Sequence, residues 1–139
     1  MIGIDTNVMI RYLVQDDAVQ AEIANEFIES SCTDENPGFI NHIVLCEIAW
    51  VLAGAYRQQR SDIANVIDSL LQVRQLEVQN APVVWKALND YRDSNADFSD
   101  YLIAHTNHQV GCTTTVTFDK KAANQTAMLP IMNILKGGN

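Results

Sequence analysis

One carboxylate constrains this chain more than any other feature: Glu47 stands inside the apolar run Ile43-Val44-Leu45-Cys46-Glu47-Ile48-Ala49-Trp50-Val51-Leu52. The run reads as a helix, where its neighbours at three and four residues either way are Ile43, Val44, Trp50 and Val51. The face carrying Glu47 is therefore expected to be buried. An ionised carboxylate in such a place costs on the order of several kcal/mol unless a cation or strong donors meet it. A structural arginine would meet the need, and so would a metal held jointly with other acids.

Other acids occupy positions of a related kind. Asp5 ends the apolar opening Met1-Ile2-Gly3-Ile4, and Asp119 ends the β-branched run Cys112-Thr113-Thr114-Thr115-Val116-Thr117-Phe118. Both runs read as strands, which puts both acids at strand C-termini. In an open α/β sheet the crevice beyond those ends is where ligands bind, so acids remote in sequence can converge there. Asp97 and Asp100, three residues apart at the start of another helix, share one side of it. Each of these four also has a purely structural reading: Asp97 with Asp100 resembles a capping arrangement, and Asp5 and Asp119 suit caps or turns before short helices. Glu47, mid-helix, has no cap or turn role open to it.

At 139 residues the chain fits one domain spanning 1–139, with Lys136-Gly137-Gly138-Asn139 expected to fray. Helical periodicity mixed with short β-branched runs points to an α/β fold. No stretch reaches the roughly twenty apolar residues that span a bilayer, and the opening does not resemble a signal peptide, so no membrane partner and a cytoplasmic location are expected. Cys32, Cys46 and Cys112 are odd in number and widely spaced, which fits reduced packing residues rather than a disulfide framework or zinc pattern. His105 and His108 share a helix face but lack a further soft ligand nearby, and read as polar surface.

The net charge of −8 argues against a nucleic-acid partner, because affinity for phosphates ordinarily comes from lysine and arginine. Convergence of several of the seventeen acids on divalent metal would reverse the local field that a phosphate meets. Arg11, Lys120 and Lys121 lie close in sequence to the suspected site and are candidate phosphate contacts. An acidic surface also suits control by a basic partner peptide.

Along the chain, a helix over Val8 to Leu13 follows the first strand, and Asp16-Asp17 opens a second helix with Val19, Ala21, Ile23, Ala24, Phe27 and Ile28. Ser30 to Gly38 reads as a loop and Phe39-Ile40-Asn41 as a short strand before the Glu47 helix, which ends between Gly54 and Gln59. Ser61 is expected to cap a helix bearing Ile63, Val66, Ile67, Leu70 and Leu71. Leu76-Glu77-Val78 alternates like a strand, and Asn80 and Pro82 announce a helix through Tyr91. A helix from Asp97 to Val110 ends at Gly111; the strand to Phe118, a Lys120 to Gln125 helix and a final strand over Met132-Asn133-Ile134-Leu135 complete the order.

In these residues the chain resembles the PIN-domain family, and within it the VapC-type toxins of bacterial toxin–antitoxin pairs. The resemblance covers nearly the full length. It is carried by Ile4-Asp5-Thr6-Asn7-Val8 with Arg11, by Glu47 in a helix, by Asp97-Phe98-Ser99-Asp100-Tyr101-Leu102-Ile103-Ala104, and by Thr117-Phe118-Asp119. It implies a three-layer fold in which a central, mostly parallel sheet of about four to five strands is flanked by helices. It also implies a carboxylate cluster that holds Mg²⁺ or Mn²⁺. Asp5, Glu47 and Asp100 match the central acids, Asp119 the more variable fourth, and Asp97 an extra acid at or just behind the metal. Thr6, Asn7 and Thr117 match polar neighbours of that site.

Hard cations take oxygen ligands, and a carboxylate cluster suits hydrolysis of a phosphodiester by activated water. The resemblance therefore implies an endoribonuclease toxin, a cognate antitoxin with a basic C-terminal segment, and a homodimer. Two other classes compete. A receiver-like Mg²⁺-binding signalling domain wants an acidic pair after the first strand and a phosphoacceptor after a middle strand, whereas this chain has lone Asp5. A non-catalytic PIN-like scaffold that binds RNA or protein would have no use for a full set of acids.

Overall fold

A computed structural model describes residues 1–135; the expected frayed tail, Lys136 to Asn139, lies outside the described residues. Its contacts divide the chain into two compact units, Met1–Ala81 and a second beginning at Pro82.

The first unit is built on three parallel strands, β1 (Ile2–Gly3), β2 (Gly38–Ile40) and β3 (Leu76–Val78), in that spatial order. Ile2 pairs with Gly38, and Gly38 in turn with Leu76, so all three strands run out at one edge. Parallel neighbours need long crossovers. The first supplies α1 (Thr6–Val14) and α2 (Ala18–Glu26), followed by a π-helical turn over Phe27–Ser31; the second supplies α3 (His42–Gly54) and α4 (Arg60–Gln72).

Polar residues at the sheet's C-terminal edge start the helices that follow. Asp5 occupies the N-cap of α1, and Asn41 caps α3 by accepting from the Val44 amide at 2.9 Å. Asn41 thus ends β2 as a cap rather than extending it, because the cap satisfies an amide with no intrahelical partner. Asp17 does the same for α2, accepting from the Gln20 amide at 3.0 Å. Ser61 is not a cap: α4 begins one residue earlier, with Gln59 at the cap position and no side-chain bond there.

Ile40, Leu45, Ile48, Leu52, Ile67 and Leu70 form the centre of this unit, all at 1 % exposure or less. Gly38 is fixed by close approach. A Cβ there would stand 2.5 Å from Ile4 Cδ1, 3.1 Å from Cys32 Sγ and 3.2 Å from Leu76 Cδ2. Cys32 is the packing residue expected; Cys46 is half-buried and Cys112 exposed, so that role does not extend to all three.

The second unit holds α5 (Ala81–Arg92), which begins one residue before it, then α6 (Phe98–Gln109), β4 (Val116–Thr117), α7 (Lys120–Gln125), β5 (Leu129–Pro130) and α8 (Ile131–Leu135). Strands β4 and β5 pair in parallel as a separate two-stranded sheet. The parallel α/β architecture is as expected, with the five strands among the described residues divided into sheets of three and two. Met132 to Leu135 belongs to α8, and the last strand precedes it. A short apolar run suits either state, and periodicity alone does not separate them.

Aromatic packing fastens the turn between α5 and α6. Tyr91 meets Phe98 edge to face at 5.8 Å and Tyr101 at 6.5 Å between ring centroids. The Tyr101 hydroxyl accepts from the buried Ala96 amide at 3.2 Å and shares a short hydrogen bond with Ser94. This fixes the chain on both sides of Asp97. Gly111, at φ 103°, ends the helix in the left-handed conformation expected, its amide donating to His108 O at 3.0 Å.

Candidate metal centre

Two groups of acids emerge, one in each unit. In the first, Ile4 donates its amide to Phe39 O at 2.9 Å, which anchors the end of β1 and delivers Asp5 to the sheet edge. Asp5 is exposed, and its carboxylate accepts from the Thr6 amide at 2.8 Å. The Thr6 hydroxyl then donates to Glu47 Oε1 at 2.9 Å, joining residues 41 apart in sequence. The acid at the end of β1 and the acid of α3 are thereby linked through one threonine. Two donors are spent and no cation is, so both carboxylates keep lone pairs for further ligands.

Glu47 is not on a buried face. It is half-buried, while Ile43 and Trp50, its neighbours at four and three residues, are 71 % and 55 % exposed. Apolar residues occur all round α3, so spacing alone did not reveal which side faces inward. Val44, Leu45, Ile48, Ala49 and Leu52 form the inner side, and Glu47 stands at its border with solvent. Among the described residues no arginine pairs with it, so the structural-arginine reading loses its basis.

In the second unit Asp97 occupies the N-cap position of α6, yet its side chain makes no capping bond. The capping reading therefore fails for Asp97. Asp100, in the first turn, is half-buried and its carboxyl is pushed above the ordinary 3.8, first by desolvation and then by the negative charge of Asp97; Asp119 adds to this and Lys121 opposes it. Asp119 is a genuine cap, accepting from the Ala122 amide at 3.0 Å. The Thr117 hydroxyl accepts from the Asp119 amide at 2.9 Å and so holds the turn that presents this acid. Asp97 and Asp119 thus both act on Asp100 within this unit, an influence that a cation would oppose.

The basic residues divide. Arg11 donates to Gln20 at 2.6 Å and to Asp16 at 3.1 Å, while the Tyr56 hydroxyl donates to the other Asp16 oxygen at 2.7 Å. These bonds lower the Asp16 carboxyl and raise the Tyr56 phenol. Arg11 accordingly fastens α1 to α2, while Lys120 and Lys121 are exposed. Asn7 is exposed and lines, with Val8, Arg11, Gln20, Ile23 and Ala24, a groove of about 450 Å³ on the first unit. Sequence reasoning missed the Arg11–Asp16–Tyr56 cluster, whose members lie too far apart for any local pattern.

His105 is bonded to Asp90 at 2.5 Å and lines, with His108 and Cys112, a cleft of about 260 Å³ in the second unit. Within neither unit do three His, Cys, Asp or Glu side chains among the described residues already form a ready-made metal cage. No helix among them is long and apolar enough to cross a membrane.

The parallel sheet, its flanking helices and the acids at strand ends have a counterpart in sequence comparison. The family model for the PIN domain matches residues 2–127, and the chain belongs to that family. It is also similar to a VapC ribonuclease of Aquifex aeolicus (strain VF5), with 23% identity over 118 residues, covering 85% of this chain and 87% of the relative.

Proposed function

We propose that this protein is a metal-dependent endoribonuclease, the toxin of a type II toxin–antitoxin pair. The observation that carries the reading is the Asp5–Thr6–Glu47 linkage, in which two acids are brought to one threonine without being neutralised. The similarity to a VapC ribonuclease supports the substrate class and, with it, a cognate antitoxin bearing a basic C-terminal segment and a homodimeric assembly.

The donor set fits a hard divalent cation. It is all oxygen, and the desolvation and neighbouring negative charge that raise Asp100 are what a bound cation would offset. Asp5, Glu47, Asp97, Asp100 and Asp119 are the residues proposed to hold Mg²⁺ or Mn²⁺, with Thr6, Asn7 and Thr117 supporting them. When bound, the metal supplies an activated water and charge stabilisation for in-line displacement at phosphorus.

The chain's own residues orient and select. The Thr6 hydroxyl fixes one oxygen of Glu47, leaving the other to ligate, and so sets the carboxylate's angle. The Thr117 hydroxyl does the corresponding work for Asp119 through its backbone. Lys120 and Lys121, both exposed, are the proposed phosphate contacts, whereas Arg11, already engaged by Asp16, contributes chiefly by holding the α1 segment that carries Thr6 and Asn7. In this reading water, not the ribose 2′-hydroxyl or a side chain, attacks phosphorus and the P–O3′ bond breaks, so the products carry a 5′-phosphate and a 3′-hydroxyl.

The test is cleavage of single-stranded RNA by the purified chain, abolished by EDTA, restored by Mg²⁺ or Mn²⁺, and suppressed by the cognate antitoxin. RNA binding without cleavage under every metal condition would instead favour a scaffold.

A further inference from the structure

Two hydrogen bonds join the α1 segment to the α3 segment, and they are spaced alike. The Thr6 hydroxyl donates to Glu47 Oε1 at 2.9 Å across 41 residues, and the Tyr56 hydroxyl donates to Asp16 Oδ2 at 2.7 Å across 40. Nearly equal separations mean that the two segments run side by side in one direction, with one bond at the start of α1 and the other just past its end. Helix α1 is nine residues long, so about 14 Å of helix lies between them.

The second bond is braced on both sides. Asp16 follows Gln15, which ends α1 at φ 64° and donates its side-chain amide to Tyr12 O at 2.8 Å, and Tyr56 is followed by Arg57 at φ 53°. Each turn thus holds a residue other than glycine in the left-handed region, where side chains are rarely found. Asp16 Oδ1 is taken by Arg11 at 3.1 Å, so the carboxylate that Tyr56 meets is held from its other side as well. Met9 and Ile10 bury one face of α1, but apolar contact is not directional and does not by itself set the register of the helix along its axis. A helix held by one bond can pivot about it. Held at both ends, α1 shifts against α3 only by giving up both bonds, and the same shift takes Thr6 off Glu47.

Resting on the nuclease reading, we propose that Tyr56 is a positioning residue: its hydroxyl, through Asp16, holds α1 in register with α3 and so keeps the Thr6 hydroxyl on Glu47, setting that carboxylate for the metal.

Two cycles of variants test this latch. In the first, Mn²⁺ affinity is measured without RNA, from the electron paramagnetic resonance signal of the free ion, at a temperature well below unfolding. Tyr56→Phe is expected to weaken binding about 2- to 10-fold, the range that one hydrogen bond commands, and to weaken it no further once Thr6→Val has removed the donor to Glu47. In an Asp16→Ala background Tyr56→Phe has no effect. The second cycle unfolds the metal-free wild type, Thr6→Val, Tyr56→Phe and the double variant in urea. Sites this far apart ordinarily act independently, but here the two stability losses are expected to fall short of additive. Additive losses in urea would overturn the latch. So would a Tyr56→Phe variant with unchanged Mn²⁺ affinity and a lowered urea midpoint, the signature of a purely structural residue, or the same fold-change with and without the Thr6 hydroxyl. A wild type that binds Mn²⁺ but cuts no RNA counts against the nuclease reading alone, because neither cycle uses RNA. A wild type that binds no Mn²⁺ counts against the metal, and the urea cycle then decides the latch.

Discussion

The two groups of acids solve the same electrostatic problem differently. In the first unit the carboxylates are served by donors: the Thr6 amide on Asp5 and the Thr6 hydroxyl on Glu47. In the second the burden falls on Asp100, which is raised by desolvation and by its neighbours Asp97 and Asp119. Donors set direction and cost little, whereas unrelieved like charges store free energy that a cation releases on binding. One group is therefore oriented by donors, and in the other Asp100 is the acid whose charge most lacks compensation.

This contrast breaks most sharply at the proposed ligands. Asp5→Asn removes a charge from an exposed position, so the fold is retained while RNA cleavage falls at least about a hundredfold, measured at saturating RNA and Mg²⁺. Thr6→Val tests orientation alone. It keeps the shape of the side chain, removes the donor to Glu47, and is expected to cost about 10- to 100-fold in activity or metal affinity, as loss of a supporting partner does. An unchanged rate would mean that Glu47 needs no guide.

Stability separates the acids of the second unit. Asp119→Ala loses a cap bond and is expected to destabilise by about 1 kcal/mol in urea unfolding, while Asp119→Asn keeps an acceptor and most of that stability. Asp97→Ala, whose side chain makes no capping bond, carries no such penalty.

The smallest effect concerns pH. The folded Asp100 carboxyl is raised above 3.8, so as pH climbs from that value to the folded one, the unfolded chain gives up this proton first. Metal-free stability therefore falls across that window and levels off above it. Asp100→Asn removes that fall and raises the metal-free melting temperature at neutral pH. Added Mg²⁺ stabilises the wild type more than the variant.

Much of this was readable from residues alone, and what failed did so for definite reasons. Asp5, Asp17 and Asp119 announced α1, α2 and α7 because capping is a local rule: a short acceptor followed by free amides. Leu76-Glu77-Val78 alternates and is β3. Glu47 was singled out correctly as unusual but misjudged in burial, because an all-apolar helix hides which side faces out. The Thr6–Glu47 bond and the Arg11–Asp16–Tyr56 cluster join segments that only tertiary packing brings together. The order of the acids along the chain carried the family resemblance, and the match over residues 2–127 bears it out.

The central proposal is that Glu47 and Asp100 are each needed for metal-dependent RNA cleavage. Its most direct test compares RNA cleavage by the wild type, Glu47→Gln and Asp100→Asn across a Mn²⁺ titration, with circular dichroism to verify folding. Both variants are expected to stay folded and lose cleavage at every metal concentration. Either one cutting RNA at the wild-type rate would contradict the account.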